Sequence, residues 1–368
     1  FVLHQKAEDG SNKVWPQSFS IQLIDESGNL KDMDIKNMGN SFDLSQAIQG
    51  FKLADVLYNT NGFGYGVFPI YKENIHRYAF LKDDVSRGYQ FINLYENMLL
   101  GNIAPLATYE VYLEAIKKEE NELITHYISN NLQTIFWTFL TEGQKNKVQK
   151  KTETEIYTLL EKDLPANLKR TLFTLYQSLA ISKEGTEKLY QIWKKQTTIQ
   201  NLFLNENNFT SLAMTLAIFQ HPKALEILKQ QELRISNSDR LERFKWLLAS
   251  LSNNEVERGN FMKSLLQKEN REKESWVLTA LNNLHHPLRQ KSSTKQLKSI
   301  LEALEEVQIT GDIFFPKRWL ASSIGNYSSK EAFYILQEFL EENSNYNPIL
   351  LKKLLQTTDP LTRAQTLK

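Results

Sequence analysis

Residues 91–99 read Phe-Ile-Asn-Leu-Tyr-Glu-Asn-Met-Leu, and this stretch decides the fold class. Its apolar residues recur at intervals of three and four positions, which is the pattern of a helix with one buried face: Phe91, Leu94, Tyr95, Met98 and Leu99. The same spacing returns in four later stripes, which lie within residues 132–140, 172–179, 297–304 and 333–340. The sequence therefore predicts helices from about Glu73 to the end of the chain.

Short turn-forming sequences separate these helical stripes, and proline, glycine or asparagine marks each of them. They are Gly101-Asn102, Leu164-Pro165, His221-Pro222, Ser252-Asn253-Asn254, His286-Pro287 and Asn347-Pro348. Helices of about 10–20 residues with short links are typical of stacked antiparallel pairs. We therefore predict a HEAT/armadillo-like α-helical superhelix. Its repetition is structural, because the sequence contains no literal repeat.

The start of the chain follows a period-two pattern, which is typical of half-buried strands. Apolar residues there mostly alternate with polar ones: Trp15, Phe19, Ile21, Leu23, Met33 and Ile35. Turn signals follow at residues 9–12, 26–29 and 37–40. Residues 53–70 predict a strand, a turn near Asn61-Gly62 and a second strand.

Several short strands with regular turns favour a small antiparallel β-sandwich. The fold class that we predict is mainly α, with this sandwich preceding the helical superhelix. The predicted domains are a β-sandwich domain at residues 1–72 and an all-α superhelical C-terminal domain at residues 73–368. No flexible linker is visible between them.

Composition excludes several kinds of partner and chemistry. The 368 residues include 44 Lys and Arg against 43 Asp and Glu, and this balance gives no electrostatic reason to expect nucleic acid or an anionic membrane. Because the chain has no cysteine, disulfides and thiolate chemistry are excluded. No apolar run is long enough to span a bilayer. The abrupt start at Phe1 predicts that something precedes it, so any signal for a cytoplasmic, periplasmic or secreted location would lie upstream.

No catalytic motif is visible in the sequence. The six histidines form no His-Glu-x-x-His pair, and we predict no metal site in this chain. The glycine-rich stretch at residues 62–66 lacks the Lys-Ser/Thr of a phosphate-binding loop, which favours a bulged or closely packed β-hairpin. No Gly-x-Ser-x-Gly nucleophile elbow occurs.

The densest local feature is residues 310–319, where Lys317 and Arg318 follow an apolar run and a proline at a predicted helix start. Two interpretations remain open. The two cations line a cleft and meet a carboxylate, or the segment is a solvated turn with Trp319 packed inward.

Several stretches, in this order along the chain, together resemble the C-terminal region of zinc aminopeptidases of the aminopeptidase N family. They are Leu57–Gly66 with its Asn-x-x-Gly-x-Gly-Tyr pattern, Leu94–Gly101, Lys118–Asn121, Leu132–Trp137, Glu274–Val277, Leu284–Arg289 and Gln308–Leu320. The likeness covers nearly the whole chain.

The resemblance implies that the parent enzyme removes N-terminal amino acids from peptides, with zinc as its cofactor. That family uses a His-Glu-x-x-His zinc helix and a Gly-x-Met-Glu-Asn loop that binds the substrate amine, and neither motif exists here. The resemblance therefore makes this chain a non-catalytic C-terminal fragment, without a cofactor of its own, that shapes and closes the substrate chamber. Its partners would be its own N-terminal catalytic domain and the peptide substrate.

Four residues become candidate site residues through this resemblance. Lys317 and Arg318 would bind the substrate carboxylate, although Asp312 and Phe314 stand where a related enzyme has cations. His286 and Arg289 would line the cleft. Two alternatives stay open, namely a stand-alone helical-repeat scaffold for protein interaction and an enzyme with unrecognised chemistry.

Overall fold

The structure is a computed structural model, and it describes residues 1–37 and 39–368. The chain forms two compact units, Phe1–Leu132 and Gln133–Lys368, which we call unit 1 and unit 2. The turn predicted at residues 37–40 includes Met38, which lies outside the described residues. The proposed domain boundary at residues 72 and 73 stays a prediction.

Unit 1 begins with short antiparallel strands in two small sheets. The strands are β1 (Val2–His4), β2 (Gln17–Asp25), β3 (Leu30–Asn37), β4 (Ser41–Asp43) and β5 (Leu53–Leu57). One sheet pairs β1 with β4, and the other has the order β3-β2-β5.

Both sheets contribute to one apolar core. The period-two pattern of β2 buries Phe19, Ile21 and Leu23, as predicted. Leu3 from β1 and Phe42 from β4 pack against the same cluster. This shared core is the arrangement of a small sandwich.

The second strand predicted within residues 53–70 is wrong. β5 ends at Leu57, the predicted turn is present at residues 60–62, and the chain then continues without strand pairing to residue 71. The physical reason is that side-chain amides, such as those of Gln17 and Asn59, take the backbone hydrogen bonds that a neighbouring strand would otherwise make. The hairpin predicted for residues 62–66 is therefore a loop.

Helices complete unit 1. A 3₁₀ helix at Lys72–Phe80 precedes α1 (Asp84–Leu99), α2 (Pro105–Ala115) and α3 (Glu122–Thr134). The predicted stripe on α1 is confirmed, since its members Phe91, Leu94 and Met98 are fully buried.

Unit 2 is helical in all of its secondary structure. It includes the last two residues of α3, and a π-helical turn follows at Ile135–Phe139. Its α-helices are α4 (Glu142–Glu161), α5 (Ala166–Leu179), α6 (Lys183–Trp193), α7 (Glu206–Ile218), α8 (Ala224–Arg234), α9 (Ser238–Leu251), α10 (Glu255–Leu265), α11 (Glu274–Leu284), α12 (Gln290–Ser293), α13 (Leu297–Glu302), α14 (Leu304–Thr310), α15 (Phe315–Ser322), α16 (Lys330–Glu342) and α17 (Pro348–Leu367). Short 3₁₀ turns lie at Lys268–Asn270, Pro287–Arg289, Thr294–Gln296 and Ile324–Asn326. The mainly α class is confirmed.

Neighbouring helices of unit 2 pack on one another, for example α4 on α5, α6 on α7 and α7 on α8. The predicted stripe at residues 172–179 lies buried on α5. Buried tryptophans find partners for their N–H groups, as when Trp193 donates to Gln231 Oε1 at 2.9 Å. No helix in the described part of the chain is long and apolar enough to cross a membrane.

Arginine side chains bind the ends of several helices in unit 2. In four cases an arginine side chain donates to a backbone carbonyl at or just after the end of an earlier helix, where the last carbonyls lack partners within the helix. The pairs are Arg234 with Trp193, Arg258 with Ser252, Arg271 with Leu266, and Arg289 with Ser250 and Leu251. These arginines thereby supply hydrogen-bond donors to carbonyls at helix ends.

Candidate functional site

Metal ligands do not gather in the described residues. Among residues 1–37 and 39–368, no group of three or more His, Cys, Asp or Glu residues is placed to hold a metal ion.

Lys317 and Arg318 lie in the first turn of α15, directly after Pro316, and both side chains are exposed. The Arg318 guanidinium lies 5.9 Å from the centre of the Phe314 ring. Trp319 packs inward with no exposed surface, and its indole N–H donates to the carbonyl of Ile300 at 3.2 Å. The two cations are adjacent on a helix, so they point about 100° apart.

The loop before α15 is held in place from two sides. The Glu274 carboxylate accepts the backbone N–H of Asp312 at 2.6 Å, and Lys353 Nζ donates to the carbonyl of Ile313 at 3.1 Å. A side chain at Gly311 would bring its Cβ within 2.5 Å of the Phe315 ring and 2.9 Å of the carbonyl oxygen of Val307. The loop therefore presents Ile313 and Phe314 to solvent, next to Lys317 and Arg318.

His286 lies among aromatic rings at the start of a 3₁₀ turn. Its ring centre is 5.2 Å from that of Trp137 and 5.8 Å from that of Phe219. Its Nδ1 accepts the backbone N–H of Leu288 at 3.3 Å, which caps the turn. Burial, and then the charge of Arg289, lowers the pKa of His286 to about 3, so the imidazole is neutral at physiological pH.

Arg289 is 4% exposed, and its hydrogen-bond partners are backbone carbonyl groups. Its guanidinium donates to the carbonyl oxygens of Ser250 at 2.6 Å, Asn283 at 3.0 Å and Leu251 at 3.1 Å. Burial lowers the pKa of Arg289 to about 10, which still leaves it charged at neutral pH. Within the described residues, no hydrogen bond or ion pair joins the pair Lys317 and Arg318 to His286 or Arg289.

The most distinctive surface of the described chain was missed by sequence reasoning. It is the loop at residues 59–68, which we call the aromatic loop. Phe63 is 81% exposed and Tyr65 is 87% exposed, so two large aromatic side chains point into solvent within three residues. Val67 is also exposed.

Three side-chain amides hold the backbone of this loop, each through two hydrogen bonds. Asn59 accepts the N–H of Gly64 at 2.7 Å and donates to its carbonyl at 2.9 Å. Gln17 accepts the N–H of Tyr65 at 3.0 Å and donates to its carbonyl at 2.9 Å. Asn93 makes the same pair of bonds with Phe68, at 2.9 and 3.1 Å.

Close packing fixes the inner side of the aromatic loop. Phe68 meets the ring of Phe19 edge-on, with centroids 4.9 Å apart. A Cβ at Gly64 would lie 3.0 Å from the Phe68 ring, and Asn59 has a positive φ of 53° that asparagine tolerates better than most residues. The loop is thus ordered while Phe63 and Tyr65 remain uncovered. The only sequence signal for it was the Asn-x-x-Gly-x-Gly-Tyr pattern.

In comparisons with known proteins, no family model and no curated protein matches this chain.

Proposed function

We propose that this chain is the non-catalytic C-terminal part of a zinc aminopeptidase, and that it shapes and closes the substrate chamber of the intact enzyme. Support comes from the ordered resemblance of seven stretches to that family and from the order of strands followed by packed helices. Zinc, its ligands and the group that anchors the substrate amine belong, in this proposal, to a catalytic domain N-terminal to these residues. The intact protein should release alanine from alanine p-nitroanilide in a zinc-dependent reaction.

The observation that carries the proposal is the aromatic loop. Six hydrogen bonds order a backbone that exposes Phe63 and Tyr65. Ordering a loop costs conformational entropy, and exposed aromatic side chains are typical anchors of protein interfaces. A pre-ordered pair of aromatic side chains therefore fits docking against a separate domain better than a surface that stays in solvent. In our proposal the catalytic domain covers it.

Replacing Phe63 and Tyr65 by serine distinguishes docking from a structural role. In this chain alone the free energy of unfolding should change by less than about 0.5 kcal/mol per substitution, because both side chains are exposed. In the intact enzyme the same pair should lower the temperature of half-inactivation by several degrees. Phe203→Ser is the matched control, since Phe203 is 84% exposed in unit 2. If the double substitution lowered the temperature of half-inactivation of the intact enzyme no more than Phe203→Ser does, docking through this loop would be contradicted.

Lys317 and Arg318 belong to the proposal as the residues that bind the substrate carboxylate. Each is an exposed cation beside the apolar residues Ile313 and Phe314. In the intact enzyme, Lys317→Ala and Arg318→Ala together should raise the KM for tri- and tetrapeptides about tenfold, which corresponds to ~1.4 kcal/mol of charge-assisted hydrogen bonding.

Amidated peptides supply the internal control for this assay. Their KM should not change, because they lack the carboxylate that the cations would bind. Lys229→Ala, which removes an exposed lysine on α8, should leave both KM values unchanged. If the double substitution raised the KM for free and amidated peptides equally, carboxylate binding by Lys317 and Arg318 would be excluded.

A further inference from the structure

A groove of about 400 Å³ lies in unit 2 between α10 and the segment at residues 295–299. Its volume falls in the usual range of small binding sites. Val256, Met262 and Leu266 give it an apolar side. Val256 is 70% exposed, so this apolar surface is open to solvent.

Gly259 enlarges the groove at the middle of α10. In the interior of a helix, glycine is less favourable than alanine. Packing does not require glycine here, because a Cβ at this position would meet only the Gln296 amide, at an ordinary distance of 3.7 Å. What the missing side chain provides is space in the groove.

Polar and charged side chains also line this groove. The side-chain amide of Asn260 is exposed and makes no hydrogen bond with the described residues, and the Nε2 atom of Gln296 lies beside Gly259. The Oε1 atom of Gln296 is buried without a hydrogen-bond partner. Lys295 forms an ion pair with Glu255 at one edge. Lys263, at the other end of α10, has no carboxylate within ion-pair distance in the described part of the chain.

We propose that this groove binds an extended peptide segment that carries an acidic side chain. Side-chain amides pair well with the N–H and C=O of an extended backbone, as Gln17 does with Tyr65 in the same molecule. Asn260 offers such an amide on the surface of the groove, and Gln296 offers its Nε2 donor beside Gly259. The space at Gly259 accepts an apolar side chain. The unpaired ammonium of Lys263 complements a carboxylate.

Capped peptides test this site separately from any aminopeptidase chemistry, because an acetylated N-terminus cannot be processed. We would use N-acetylated, C-amidated nine-residue peptides with a central Leu-Leu pair flanked by either Glu or Lys, labelled for fluorescence anisotropy. The 368-residue chain should bind the Glu peptides with a Kd below about 1 mM and at least tenfold more tightly than the Lys peptides, an affinity typical of a short segment.

Two variants locate the binding. Gly259→Leu should weaken binding of the Glu peptides at least tenfold by filling the groove, and Gly143→Leu is its control because Gly143 lies on α4 in open space. Lys263→Ala should remove the preference for Glu over Lys, whereas Lys229→Ala should preserve it. Circular dichroism melting checks that Gly259→Leu is folded.

Three results would overturn the proposal. The first is no binding of Glu peptides at 1 mM protein, and the second is equal binding by Gly259→Leu and the wild-type chain. The third is self-association of the chain that Gly259→Leu abolishes, because the occupant of the groove would then be a second copy.

Discussion

Replacement of Arg289 by alanine is expected to lower the free energy of unfolding by about 3 kcal/mol or more. Arg289 is buried, and its guanidinium satisfies the carbonyls of Ser250 and Leu251 at the end of α9 and that of Asn283 near the end of α11. Each hydrogen bond from a charged donor is worth about 1.5–3 kcal/mol, and a buried acceptor left without a partner costs about 1–3 kcal/mol. Alanine would leave three such acceptors and a cavity.

Urea unfolding of the chain, followed by circular dichroism, measures this effect. Arg289→Lys should recover part of the loss, because one ammonium retains the charge but cannot reach three carbonyls in the guanidinium geometry. Arg318→Ala is the control, since Arg318 is exposed on α15. A loss below about 1 kcal/mol for Arg289→Ala would mean that the guanidinium is not needed at these helix ends, and would favour the cleft-lining role for this residue.

The stripes of the helices were predictable because burial on one face leaves a local pattern. Leu172, Leu175 and Tyr176 repeat every three or four residues, and all are buried on α5. Proline and asparagine at the helix starts were equally local signals, as at Pro348 of α17. Such features depend on residues within one or two turns, which a single sequence displays directly.

The aromatic loop was not predictable in this way. Residues 62–68 alternate like a strand, but their hydrogen-bond partners include Gln17 and Asn93, which are 48 residues before Tyr65 and 25 residues after Phe68. The same limit applies to the π-helical turn at Ile135–Phe139, where an apolar stripe predicts a helix but not its i to i+5 hydrogen bonding.

The candidate site likewise contains some features that depend on local sequence and others that depend on distant residues. Inward packing of Trp319 belonged to one of the two interpretations left open for residues 310–319, and in the structure this side chain is fully buried. Arg289 was expected from the resemblance to line the cleft, and its carbonyl partners on α9 could not be read from the sequence because they are 38 and 39 residues away. Whether a cation faces a ligand or a helix end is decided by tertiary packing, so the sequence alone did not separate Arg289 from Lys317 and Arg318.

A second large effect is expected at Gly185, near the start of α6. A Cβ there would lie 2.9 Å from each atom of the Glu153 carboxyl group, which is closer than real Cβ contacts. That carboxylate cannot simply move, because it is buried and accepts hydrogen bonds from the N–H of Ser182 at 2.9 Å and from its hydroxyl. Ser182 in turn caps α6 by accepting the N–H of Gly185 at 2.9 Å.

Two effects of opposite sign therefore compete in Gly185→Ala. Alanine favours a helix over glycine by about 1 kcal/mol, whereas displacing the buried carboxylate disrupts its hydrogen bonds at about 1–3 kcal/mol each. We expect the second effect to win, with a net loss of about 1–3 kcal/mol in the free energy of unfolding. Gly143→Ala, in open space on α4, should be neutral or slightly stabilising.

A double-mutant cycle with Glu153→Ala isolates the contact between the two residues. Glu153→Ala alone should destabilise the chain, because it leaves Ser182 without its carboxylate partner. In that background Gly185→Ala no longer meets a carboxyl group, so it should become neutral or stabilising. The two substitutions should then be non-additive by more than about 1 kcal/mol, as expected for side chains in direct contact. If Gly185→Ala were equally destabilising with and without Glu153, its cost would come from the backbone of α6 rather than from the buried carboxylate.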